Sequence, residues 1–124
     1  MHSIQLAKNL LNWNTHHLTA TSPLSKDNIA ELFAPTFVVK ANGRTYPANH
    51  DNYLDFLNTF RATIQSINYD CHDFIANNES VAIPLTAHIV RTDNTKEDFE
   101  AILILKFDKE DKIVLWHEVY IKLD

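Results

Sequence analysis

The chain has 124 residues, 45% of them hydrophobic, and eleven Lys plus Arg against sixteen Asp plus Glu leave a net charge of −5. That length holds one domain, 1–124, with a core of its own, and the acidic balance excludes nucleic acid or an anionic membrane as the main partner. The single cysteine, Cys71, excludes an internal disulfide and points to a reducing, cytoplasmic setting.

Apolar residues at Ile4, Leu6, Ala7, Leu10, Leu11, Trp13 and Leu18 form a broad helical stripe suited to lie across a sheet, with Ser3 as the expected N-cap. Lys8, Asn9 and Asn12 interrupt this segment, so no signal peptide is expected, and no apolar run approaches the ~18 residues that span a bilayer. Ser25 is placed to cap a second, short helix carrying Ile29, Ala30, Leu32 and Phe33, which Pro35 should stop near Phe33. Asn42-Gly43 then lies between two β-prone runs and supplies the positive-φ pair that a type I′ hairpin requires. Asn49 caps a third helix with Tyr53, Leu54, Leu57, Phe60 and Ile64 on one side.

Strands are expected from Ser66 to Ala76 and from Ser80 to Arg91, with Pro84 implying a bulge or an unpaired side because it cannot donate to a ladder. The final stretch reads as two long antiparallel strands around the charged break Asp108-Lys109-Glu110-Asp111. In the first of them Ala101, Leu103, Leu105 and Phe107 share one face and Ile102 and Ile104 the other, a pattern expected of a strand covered on both sides. In the second, Val114, Trp116, Glu118, Tyr120 and Lys122 alternate with Ile113, Leu115, His117, Val119 and Ile121.

Two stretches carry a likeness. YDCHDFIANNESVAIPL, residues 69–85, resembles the strand, turn and strand of the nuclear transport factor 2-like, or cystatin-like cone, superfamily. KIVLWHEV, residues 112–119, resembles the closing run of its SnoaL-like polyketide cyclase and ketosteroid isomerase-like branches. The resemblance implies an α+β fold in which three helices from the N-terminal half pack in the concave face of a strongly curved, mainly antiparallel sheet, a cone with an internal pocket. It also implies a homodimer formed through the outer sheet face. Superfamily activities include proton transfer on carbonyl compounds, ring closure, dehydration and epoxide hydrolysis, and many members only bind a ligand or a protein.

Glu118, flanked on its own face by Trp116 and Tyr120, is the candidate general acid/base, because partial desolvation raises a carboxyl pKa toward the range of proton transfer. With the parity inverted, His117 would take its place. His72 and His88 lie on neighbouring strands and are candidate partners for Glu118. Trp116 and Tyr120 are candidate substrate contacts. Tyr53, Tyr46 and Arg44 come from the third helix and the hairpin, which border the pocket mouth in the family, and Arg44 is a candidate clamp for a substrate carboxylate. His72, His88 and His117 lack any short ligand spacing, and one glycine cannot build a phosphate loop, so neither metal nor cofactor is expected. Cys71-His72 cannot form a nucleophile pair on a regular strand, since neighbours alternate faces. The resulting expectation is a cone that binds a small hydrophobic or carbonyl-bearing molecule, with acid/base turnover, or else an association module whose pocket is filled by its own aromatics.

Overall fold

A computed structural model describes residues 1–124. The elements run α1 (His2–His17), α2 (Lys26–Leu32), β1 (Phe33–Ala41), β2 (Arg44–Asn49), α3 (His50–Arg61), β3 (Ile64–Cys71), β4 (Ile75–Ala76), β5 (Ser80–Arg91), β6 (Lys96–Phe107) and β7 (Ile113–Lys122). Two helices start as their sequence dictates. Ser25 accepts from the backbone of Asn28, whose side chain returns the bond to Ser25, and Asn49 and Asn52 form the same reciprocal box at α3. The first helix corrects the sequence: Met1, not Ser3, sits at its cap, without a side-chain bond. Ser3 lies four residues before Ala7, on the buried stripe, and its Oγ donates to the Asn77 carbonyl at 2.7 Å, tying α1 to the β4–β5 turn.

The sheet order is β2-β1-β7-β6-β5-β3, with β4 paired to β5. All pairings are antiparallel except β1 with β7, which run parallel. The expected Ser66–Ala76 strand begins earlier, at Ile64, and breaks over residues 72–74 before the short β4. Pro84 explains the break. Its carbonyl accepts from the His72 N–H at 2.8 Å, but it has no N–H to return, so the ladder with β5 lapses there and resumes where Ile75 meets Ala82.

Asn42 and Gly43 turn the β1–β2 hairpin at φ 48° and 87°. A Cβ on Gly43 would meet no atom within 4 Å, so Gly43→Ala tests backbone conformation alone. It is expected to cost about 1 kcal/mol, read from the urea midpoint.

All three helices lie on one face of this mixed, mostly antiparallel sheet, giving an α+β architecture. On β6, Ala101, Leu103, Leu105 and Phe107 are buried against them, together with Val81, Ile83, Leu85, Ala87 and Ile89 of β5. Phe33 is the hub of the aromatic core, with ring centroids 4.8 Å from Phe37, 5.1 Å from Tyr53 and 6.0 Å from Trp13. The outer face is covered by nothing within the chain. Ile102, Val119 and Ile121 are exposed there, so the double cover read from the sequence is met on the inner face only. No helix is long and apolar enough to cross a membrane.

Candidate functional site

The registers assign every candidate to a face. Residues opposite one another in adjacent strands share a face, so the row Arg44–Ala41–Glu118–Leu103–Ile83 runs across five strands on the helix-covered side. The next row on that side is Tyr46–Val39–Trp116–Leu105–Val81, and a third joins Tyr120 to Ala101, Leu85 and Cys71. Glu118, Trp116, Tyr120, Tyr46 and Arg44 therefore project from one surface. His117, opposite Ile104, projects from the other, which resolves the parity in favour of Glu118.

Glu118 is half-buried, and burial alone pushes its carboxyl from the ordinary 4.5 up to about 7; no side-chain hydrogen bond or neighbouring cation opposes that effect. Its backbone is held firmly. The Asn42 N–H donates to the Glu118 carbonyl at 3.0 Å, and the Asn42 side chain accepts from Tyr120 N and donates to Tyr120 O, at 2.8 and 3.1 Å. The hairpin turn thus doubles as a splint for this part of β7.

Two tyrosines share the interior with it. Tyr53, buried on α3, has its phenol pushed above the ordinary value by burial first and then by the charges of Tyr69 and Glu118. Tyr69, inward on β3, is likewise raised by burial, opposed by a hydrogen bond from Asn14 and reinforced by the Glu118 charge. The Asn14 Nδ2 donates to the Tyr69 hydroxyl at 3.2 Å. That bond occupies a lone pair and leaves the phenolic proton free to donate elsewhere. Neither Asn14 nor Tyr69 was singled out from the sequence, although Asn14 gave a signal: it is the polar member of the stripe Ala7, Leu10, Leu11, Asn14, Leu18, and only 2% of it is exposed.

His72 and His88 do not join this group, correcting their assignment as catalytic partners. Both side chains fall on the outer parity. His88 Nδ1 meets Asp98 at 2.7 Å and its Nε2 meets Asp70 at 2.8 Å, and the two carboxylates hold its pKa above the ordinary imidazole value. His72 Nε2 bonds the Thr86 hydroxyl at 2.8 Å. The sheet backbone separates both from Glu118. Arg44, exposed at the hairpin, makes no ion pair and stays in the Glu118 row with Ala41 between them. No three His, Cys, Asp or Glu side chains converge as metal ligands. The surface grooves include one of about 450 Å³ between α3 and β2 and one of about 310 Å³ between α1 and β3, reached by Tyr69 and Cys71.

The SnoaL-like domain family matches residues 13–116. No curated protein matches the chain. Among solved structures, a protein described as a SnoaL-like polyketide cyclase from Shewanella denitrificans OS-217 superposes with a TM-score of 0.80 at 12% identity, covering 96% of this chain and 90% of the other. An LEH-like epoxide hydrolase of M. tuberculosis gives 0.73 at 13% identity over 96% and 82%. SalBIII, an epoxide hydrolase/cyclase-like enzyme in pyran ring formation in the polyether salinomycin, gives 0.70 at 15% identity over 96% and 90%. At such identities these likenesses speak for the fold alone.

Proposed function

The chain belongs to the SnoaL-like domain family of the nuclear transport factor 2-like superfamily, and from that premise we propose that it is a cytoplasmic small-molecule-binding enzyme performing acid/base chemistry on a hydrophobic, carbonyl-bearing substrate. One observation carries this reading: Glu118 is a half-buried carboxyl on the helix-covered face with no hydrogen-bond or ion-pair partner, and burial pushes it up to about 7. Near neutral pH such a group exists in both forms, so it can take a proton from one atom and return it to another.

In this reading Glu118 abstracts a proton from the carbon beside the substrate carbonyl. Tyr69, its lone pair engaged by Asn14, donates its hydroxyl proton in a hydrogen bond to the carbonyl oxygen as negative charge develops there. Protonated Glu118 then returns the proton at carbon. Trp116, Tyr120 and Tyr53 supply apolar walls, and Tyr46 and Arg44 stand at the rim. Two structural neighbours are described as an LEH-like epoxide hydrolase and an epoxide hydrolase/cyclase-like enzyme, and a carboxylate base near neutral pH can equally deprotonate water or a hydroxyl.

Deuterium exchange into simple ketones tests the reading, because it follows the proton-transfer step in any compound the site accepts. The chain is incubated in D₂O with a panel of cyclic ketones, and label at the α-carbon is followed by NMR. Exchange should rise with pH around a midpoint of about 7 and drop by roughly 10²-fold or more in Glu118→Gln. A substrate exchanged equally fast by that variant would remove Glu118 from the mechanism.

The outer face favours a second, compatible role as a homodimer. Ile102 and Val119 sit opposite one another there, beside exposed Ile121, and together form an apolar strip that a second sheet could cover. Val119→Lys should convert a sedimenting dimer to monomer. Wild-type chain that sediments as a monomer at tens of micromolar, about the level needed to observe a weak dimer, would refute the dimer.

A further inference from the structure

The groove between α3 and β2 does not include Glu118, although it shares Tyr46 with the rim of the proposed catalytic site. Asn52, Asp55, Phe56, Thr59 and Phe60 recur at the three- and four-residue spacing of one helix face, and Tyr46 of β2 closes the opposite wall. Phe56 and Phe60 are 43% and 40% exposed, unusually open for phenylalanine. Their rings lie nearly parallel at 6.5 Å, and Phe56 continues the stack to Tyr53 at 5.9 Å and leans on Tyr46 at 5.6 Å. The groove's floor is therefore a row of parallel aromatic rings.

The polar groups around it are almost all spent. The Tyr46 hydroxyl donates to the Asn52 carbonyl at 3.0 Å, the Asn52 amide donates to the Pro47 carbonyl at 3.2 Å, and the Thr59 hydroxyl donates to the Asp55 carbonyl at 3.3 Å. What remains is the Asp55 carboxylate, exposed and in no ion pair, although Lys26 does engage nearby Asp51. The Asp55 carboxylate is the only charged group lining the groove, and the rest of the wall is largely aromatic ring. Apart from one N–H of the Asn52 amide the groove offers an anion no donor, and only a cation gains charge attraction at Asp55.

From this complementarity we infer that the α3–β2 groove binds a small organic cation, an ammonium bearing apolar or aromatic substituents, with its charge against Asp55 and its body along Phe56, Phe60 and Tyr46. Its volume of about 450 Å³ falls in the range of small-molecule sites. The negative charge of the whole chain adds long-range attraction of the same sign.

Amide NMR on the full chain tests this with benzyltrimethylammonium and, as the uncharged control, benzyl alcohol. Saturable shifts should map to Tyr46 and to residues 52–60, and the cation should bind at least about threefold more tightly than the alcohol. Asp55→Asn should weaken the cation by about threefold and leave the alcohol unchanged, whereas Phe56→Ala should weaken both. Glu118→Gln should change neither, which separates this site from the catalytic proposal. Equal affinity for the two probes would overturn the inference, as would shifts centred on Trp116 and Tyr120. Groove amides that move with protein concentration alone would assign the surface to a second copy of the chain instead.

Discussion

Glu118→Gln is expected to make the protein more stable at pH 8, by about 3 kcal/mol, while leaving its stability at pH 4 nearly unchanged. The reason is the cost of keeping a carboxyl of ordinary value 4.5 at about 7 in the folded state. Between those two values the folded chain holds a proton that the unfolded chain has released. Folding stability contributed by this group is therefore greatest below pH 4.5, falls as pH rises, and levels off above about 7. Glutamine carries no charge at any pH and escapes the fall. Thermal unfolding of both proteins across pH 4 to 8 reads the effect, as a gap that opens with pH to about 10 °C. If the two curves run parallel, Glu118 is not held at a raised pKa and its candidacy for proton transfer goes with it. A residue whose removal stabilises the fold and abolishes turnover is the expected mark of a site maintained against stability.

Phe33→Ala is expected to cost about 3–5 kcal/mol, a large share of the stability of a domain this size. The ring is 1% exposed and touches Trp13 of α1, Tyr53 of α3 and Phe37 of β1. Its carbonyl meets His50 Nε2 at 3.1 Å, at the first residue of α3. Losing the ring opens a void at the point where helices and sheet join, and Tyr53 loses the neighbour that holds it near Glu118. Phe33→Leu, which keeps most of the volume, should cost less than half as much by urea unfolding. Equal losses in the two variants would mean that the core around Phe33 can collapse, contrary to the close packing described.

Most of the local structure could be read from short stretches. Ser25 and Asn49 announced their helices, Asn42-Gly43 its hairpin, and the charged break at residues 108–111 the last reversal, because caps and turns depend on residues within about four positions of one another. Pro84 announced an irregularity but not its form, since the interruption appears on the partner strand, at residues 72–74. Ser3 has the look of a helix cap and Asn14 of an ordinary helix residue, and only their partners across the fold, Asn77 and Tyr69, show what each does.

The alternation along β7 established by itself that Trp116, Glu118 and Tyr120 share a face and that His117 does not. It could not say which face is inside, because both sets mix large apolar residues with a titratable one. The tertiary structure decided that through two long-range pairings. Beside β6, Glu118 falls opposite buried Leu103, and the parallel pairing with β1 sets Ala41 and the Asn42 splint on its other side. The same pairings turned His72 and His88 outward, beyond reach of the carboxyl they were expected to serve. A period of two separates the faces of a strand, whereas only the docking of the helices onto one of them withdraws that face from water, and burial is what raises the Glu118 pKa.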